Sequence, residues 1–264
     1  MLFRSGYNTA GHFYCLDITQ NPHTQFIGID TAITVCLHLN GQNLRNVGRI
    51  AVTGGAGTIN IMGSGSVTGL GTTSGDYKQG TLVVQNKGTI NLYGGTYRSE
   101  LQDMPVAYIQ HADSVLNLYT GAVLEGSVGH TVDVINGKLN ICGGDIRGGT
   151  SAGSGGNIRV RSLYGVVTMY GGSISGGTSS AANAGGNVYL TGNSRFEMFG
   201  GKIFGGTATN GSGGNVNIYK GTFILHDGEV YGGTAATDPN ICVSSADGIF
   251  TQNGGTVEQP EIDE

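Results

Sequence analysis

Three copies of one phrase, GGNIRV, GGNVYL and GGNVNI, follow one another in the second half of this chain, each trailed by a short apolar run, a GG or DG pair, and then GGT. A chain written this way uses one structural unit repeatedly and does not wrap once around a globular core. The asparagine after the glycine pair recurs as Asn157, Asn187 and Asn215, and Asn240 holds its place in a copy that has lost the glycines, at intervals of 30, 28 and 25 residues. The threonine that closes GGT recurs as Thr150, Thr178, Thr207 and Thr234, at intervals of 28, 29 and 27.

Each unit resolves into three short strands. In the copy beginning at Gly185 they are residues 187–190, 196–199 and 202–204, separated by TGNS, by a glycine pair and by a Gly-Thr-Ala loop. Apolar and polar residues alternate inside each strand, so one face is buried, while the glycine, asparagine and serine clusters supply the corners. Fainter copies of the middle strand extend upstream as Ile59-Asn60-Ile61-Met62, Ile90-Asn91-Leu92-Tyr93, Leu116-Asn117-Leu118-Tyr119, Leu139-Asn140-Ile141-Cys142 and Val167-Thr168-Met169-Tyr170. A unit this small cannot bury its own apolar face, so its copies must stack. The pattern predicts an all-β, right-handed parallel β-helix with three strands per coil and about eight coils, a rod of roughly 40 Å. Residues 1–32 are expected to be an N-terminal cap or first irregular coil, 33–258 the helix, and 259–264 a tail. The Asn157, Asn187, Asn215 and Asn240 ladder is expected to tie the corner backbone of each coil to the next.

Composition narrows the function classes. Fifty glycines without a Gly-X-Y period, beside only four prolines, exclude collagen. A net charge of −5, spread without blocks, offers no basic stripe for phosphates, so nucleic acid is not an expected partner. No apolar run is long enough to cross a bilayer, and the first fifteen residues lack the regions of a secretion signal, which leads us to expect an excised piece of a larger chain. Cys15, Cys36, Cys142 and Cys242 form no CxxC pair and the six histidines no HxH or HExxH, so neither a metal site nor a cofactor is expected. The cysteines read as small, partly buried hydrophobes, with a Cys15–Cys36 bridge as the alternative in the first coils.

The segment Cys36-Leu37-His38-Leu39-Asn40-Gly41, followed by many copies of GGN-V-Y-L and F-x-M-x-GG-x-I-x-GG-T, resembles the glycine-rich right-handed β-helix repeat proteins on the surface of anaerobic, gut-associated Gram-positive bacteria, within the pectate-lyase-like superfamily. The resemblance covers residues 33 to 258. It implies a non-catalytic stalk or adhesin module at the cell surface or outside the cell, part of a larger secreted protein, with glycans or host and bacterial surface polymers as partners. A shared architecture with carbohydrate-active enzymes does not transfer their chemistry. The alternative is a polysaccharide-active enzyme, whether lyase, hydrolase or esterase.

The sequence offers that alternative little. The Asn-Thr-Asp, Asp-Asp, Gly-His-Gly and Arg-Ile-Lys elements that mark polygalacturonase-type hydrolases are absent, and with no Asp-Asp pair the two carboxylates of glycoside hydrolysis are missing. Asp145 and Glu229 occupy one column, but Ser173 and Lys202 separate them. Thr131-Val132-Asp133-Val134-Ile135-Asn136-Gly137 looks like the element that carries the nucleophilic aspartate of pectin methylesterases, with Gln102-Asp103 upstream where a second acid belongs. Aligning the first strands, however, sets Ala107 beside Asp133. Asp133 then reads as an outward residue opposite Arg159, a surface ion pair worth at most about 1 kcal/mol. Asp133 and Arg159 are nonetheless the only catalytic candidates.

Stacking also predicts columns. The outward residue closing the middle strand reads Tyr93, Tyr119, Cys142, Tyr170, Phe199, His226, beside a stripe that includes Asn91, Asn117 and Asn140. Flat rings with amides alongside suit a sugar chain, which makes Tyr93, Tyr119, Tyr170, Phe199 and His226 the ligand-binding candidates. The competing reading is a ladder stabilised by self-contact. The first-strand column, Tyr108, Asp133, Arg159, Tyr189, Asn217, Cys242, reads as a solvated face, and the loops after GGT as tolerant surface connections. Open strand edges at the ends of such a rod are expected to favour end-to-end self-association.

Overall fold

The computed structural model describes residues 2–3, 13–17, 26–74, 77–126, 128–182 and 184–258. All regular structure among them is β. The first strands of successive coils form one ten-stranded parallel sheet, beginning Leu2–Phe3, Phe26–Ile29, Arg49–Val52 and ending Val216–Ile218, Ile241–Val243. Stacked one upon another, these ten strands make a parallel β-solenoid. Nine spacings of about 4.8 Å give it a stacked depth of roughly 43 Å. The middle and third strands make a second, 17-stranded sheet. In two coils these strands fuse into single eleven-residue strands, Gly137–Arg147 and Gly165–Ser175, which turn the corner at a register shift just after Ile141.

The alternation decides which side chains go in. On the first face Leu82 and Val84, Val132 and Val134, Ile158 and Val160, and Val188 and Leu190 point inward; on the middle face Ile90 and Leu92, Leu116 and Leu118, and Phe196 and Met198; on the third Tyr97, Leu124, Ile146 and Ile203. All are fully buried in one continuous cluster. At about 25 cal/mol per Å² of apolar surface removed from water, this narrow column is the main driving force for stacking, and no coil possesses it alone.

A fourth ladder departs from the expectation of three strands per coil. Thr150–Ser151, Thr178–Ser179, Thr207–Ser212 and Thr234–Thr237 stack in parallel, so the segments after GGT are strands before they are loops. The repeat spacing aligns their backbone: Thr178 N–H donates to Gly149 O, Thr207 N–H to Gly177 O and Thr234 N–H to Gly206 O, each at 2.8 Å. Another departure is an antiparallel hairpin, Thr72–Ser74 with Tyr77–Gln79, inserted before the strand Leu82–Val84. Arg49 reaches it, donating to Thr72 Oγ1 at 3.0 Å and to Gln79, while its guanidinium lies 5.1 Å over the Phe26 ring. At the start of the chain Leu2–Phe3 and Phe13–Asp17 pair in parallel with Phe26–Ile29 and Thr34–His38. That register sets Cys15 beside Cys36. Cys36 is nonetheless a free thiol, as are Cys142 and Cys242, so the alternative of a bridge does not hold.

Asn157, Asn187, Asn215 and Asn240 lie one above another, buried at the corner leading into the first strand. The amide of each donates to the next at 2.7 Å: Asn157 to Asn187, Asn187 to Asn215, Asn215 to Asn240. The second N–H of each caps a carbonyl where its coil's third strand ends, Ser175, Phe204, Tyr231 and Glu258 in turn. Each amide oxygen also accepts from the second glycine of the GGT, namely Gly149, Gly177, Gly206 and Gly233. Every donor and acceptor site of Asn187 is thereby used, which is what an amide needs to remain in an apolar interior. The glycine is required for closeness: a Cβ on Gly177 would sit 2.8 Å from both Asn157 Nδ2 and Asn187 Oδ1. Above Asn157 the column ends in Thr131, whose hydroxyl donates to Asn157 Oδ1 at 3.0 Å.

Candidate functional site

The first-strand column does not face solvent as expected. In register it runs Tyr108, Asp133, Arg159, Tyr189, Asn217, Cys242. Tyr108, Asp133, Asn217 and Cys242 are buried, and only Arg159 and Tyr189 are partly exposed. The register follows that column and not the alignment that set Ala107 beside Asp133: Ala107 pairs with Val132 and points inward. Tyr108 takes the place beside Asp133, in an outward apolar cluster with Ala51 and Val83.

Asp133 is 4% exposed and is held by two arginines, not by one. Arg159 donates Nε–H to Oδ1 at 3.2 Å and Nη2–H to Oδ2 at 2.8 Å, and Arg161 does the same at 3.1 and 2.8 Å. Arg159 pairs with Asp133 across the ladder as the repeat predicts, and Arg161, two residues on, shares its face. The expected weak surface pair is therefore wrong in kind. Two charge-assisted forks on a buried carboxylate hold it far more strongly than one exposed contact does. Burial pushes the Asp133 carboxyl up, but Arg159 and Arg161 outweigh it and hold the group below the usual carboxylate range. A more exposed counterpart, Arg98–Glu125–Arg147, sits on the third face with contacts of 3.0 and 2.8 Å.

Around this cluster the connections between coils form a cleft of about 290 Å³, lined by Asp103, His130, Asp133, Ser151, Arg159 and Arg161 among others. Its walls are tied by backbone bonds: Asp103 N–H donates to Val128 O at 2.9 Å, and Gly129 N–H to Thr150 O at 2.7 Å. His130 Nδ1 lies 2.6 Å from Gly155 O, and since a carbonyl only accepts, Nδ1 carries the proton. Burial first, then the charge of Arg159, lower the imidazole to about 4, so the ring is neutral at pH 7 and Nε2 presents a lone pair. Asp103 and Asp133 thus share one cleft although Asp103 belongs to no strand, since it stands on the connection that leads into Ala107–Ile109. Arg161 was legible in the alternation Arg159-Val160-Arg161, whereas no sequence pattern pointed to His130.

The aromatic column is present and outward. Tyr93 stacks on Tyr119 with centroids 4.6 Å apart and planes 8° apart; Tyr170 stacks on Phe199 at 5.5 Å and 14°, and Phe199 on His226 at 4.4 Å and 4°. Half-buried Cys142 interrupts it, where the strand bulges. Because the rings cover one another's faces, the column offers mainly edges to solvent. Its neighbour is also self-satisfied: Asn91 donates to Asn60, Asn117 to Asn91 and Asn140 to Asn117, each at 2.7 Å. Asp145, Ser173, Lys202 and Glu229 stand in one column as expected, Lys202 bonding Glu229 at 3.1 Å. Among the described residues no three His, Cys, Asp or Glu side chains are grouped to hold a metal ion, and no helix is long and apolar enough to cross a membrane. His12 and His23 lie outside the described residues.

No family model matches this chain, and neither does any curated protein or solved structure.

Proposed function

We propose that this chain is a non-catalytic structural module of a surface or secreted protein, a stiff rod that sets a distance and carries an adhesive patch. One observation supports this most: most polar and aromatic side chains of the stacked columns are engaged by the neighbouring coil. The asparagine ladders, the stacked rings and the Arg–Asp–Arg cluster all couple turn to turn, and such coupling resists bending and local unfolding. The resemblance of the glycine-rich repeats to bacterial surface proteins supports the extracellular location.

The enzyme reading draws on a specific feature, two carboxylates and a neutral imidazole in one cleft. Asp133 is poorly suited to its part in it. A carboxylate receiving four guanidinium N–H bonds has little electron density to offer a carbonyl, and one held below the usual carboxylate range does not deliver a proton at neutral pH. The test is a turnover screen on neutral, acidic and esterified polysaccharides, run beside adhesion of protein-coated beads to the same polymers. Adhesion without turnover is expected; turnover that disappears in both Asp133→Ala and Asp103→Ala overturns the proposal.

A further inference from the structure

The cleft beside Asp133 holds polar valences that the described residues do not use. Each arginine commits Nε and Nη2 to Asp133, and among the described residues neither Arg159 Nη1 nor Arg161 Nη1 has a hydrogen-bond partner. Their side chains are 26% and 34% exposed, so the outer edges of two guanidiniums are open while their inner edges are fixed. The same carboxylate orients both forks, and an oriented fork loses little entropy when it takes a second anion. His130 contributes the opposite polarity: with Nδ1–H committed to Gly155 O, its Nε2 is an acceptor without a partner among the described residues. The ensemble of Arg159, Arg161 and buried Asp133 carries one net positive charge. Asp103 stands exposed at the rim, where water screens it.

We infer that this cleft is a binding site for a hydroxylated carboxylate, a sugar acid or a free hydroxy acid, whose carboxylate bridges the outer edges of Arg159 and Arg161 while a hydroxyl donates to His130 Nε2. Two donor edges side by side call for a planar, bidentate anion. A bare acceptor in the same cleft calls for a donor on that anion, which acetate, sulfate and ionised phosphodiesters lack and a hydroxy acid supplies. The volume of about 290 Å³ is at the small end of ligand sites and suits a single ring or less. The inference is independent of the rod's role, since it needs neither adhesion nor stiffness.

The test is a titration of the whole chain, followed by nuclear magnetic resonance of the arginine Nε–H and histidine ring signals. The probes are glucuronate, glycolate, acetate, glucose and sulfate at constant ionic strength. Glucuronate and glycolate are expected to shift Arg159, Arg161 and His130, with acetate, glucose and sulfate weaker by about tenfold or more. Glycolate matching glucuronate assigns the site to small hydroxy acids; glucuronate alone assigns it to a sugar acid. Equal binding of acetate or sulfate, binding of glucose, or no shift at these residues overturns the inference. Arg161→Gln is expected to weaken glucuronate about tenfold, and Arg195→Gln, on the middle face, to leave it unchanged. The wild-type competition decides the matter if Arg161→Gln does not fold.

Discussion

Replacing Asn187 by alanine separates a buried ladder that holds the coils in place from one that is decoration. The side chain makes four hydrogen bonds, donating to Phe204 O at 2.9 Å and Asn215 Oδ1 at 2.7 Å and accepting from Asn157 Nδ2 and Gly177 N at 2.7 and 2.8 Å. Its loss does not fall equally on the four partners. Phe204 O still accepts from Gly176 N–H, and Asn215 Oδ1 still accepts from Gly206 N–H, so both acceptors keep one bond. One N–H of Asn157 and the N–H of Gly177 keep none. A buried orphan donor costs about 1–3 kcal/mol, which puts Asn187→Ala at about 4 kcal/mol, and nearer 2 if a water enters the space left behind. Asn117→Ala is the control: it breaks bonds of the same length to Asn91 and Asn140 on the half-buried outer stripe, where water replaces them, and is expected to cost under about 1 kcal/mol. Urea unfolding followed by circular dichroism measures both, provided the m value is unchanged, and amide exchange at Gly177 reports the local effect. Equal losses in the two variants would show that burial of the corner asparagine does not matter and would sink the reasoning.

The other expectations concern the cleft and the corner. Asp133→Ala leaves two guanidiniums facing each other without their counter-ion and should destabilise by about 3–5 kcal/mol, while Glu125→Ala in the more exposed trio should cost under about 1 kcal/mol; comparable values would refute the distinction. His130 has its pKa depressed to about 4, so between about pH 6.5 and 4 the unfolded chain binds a proton that the folded chain refuses. Stability should therefore fall as pH drops through that window, by up to about 3 kcal/mol, and His130→Gln should flatten the profile across it. Asp133 acts in the same sense at lower pH: its contribution is complete above the ordinary carboxylate range and is lost as pH falls through its depressed folded value. Gly177→Ala places a Cβ 2.5 Å from Gly186 O as well as against both amides, and should cost about 1–3 kcal/mol in the same unfolding assay, against little if the corner relaxes.

What the sequence determined by itself is everything that repetition and period-two alternation specify. The parallel stack, the inward residues of all three faces, the in-register columns and the asparagine ladder follow from spacing alone, since stacking copies is the one way each coil buries its apolar face. The pairing of Asp133 with Arg159 was legible for that reason. Its consequence was not, because exposure depends on what lies over a strand, and the connections carrying Asp103, His130 and Ser151 differ in length from coil to coil and obey no period. The hairpin strands Thr72–Ser74 and Tyr77–Gln79 escaped for the same cause, whereas the fourth ladder was marked by the periodic GGT threonines but carries no apolar alternation that would have named it a strand. Only the folded chain decided that the aromatic rings cover one another, and that an apparent surface ion pair is a buried carboxylate gripped by two arginines at the floor of a cleft. A periodic sequence specifies direction along the strand, while the aperiodic loops, packed in three dimensions, specify where water is excluded.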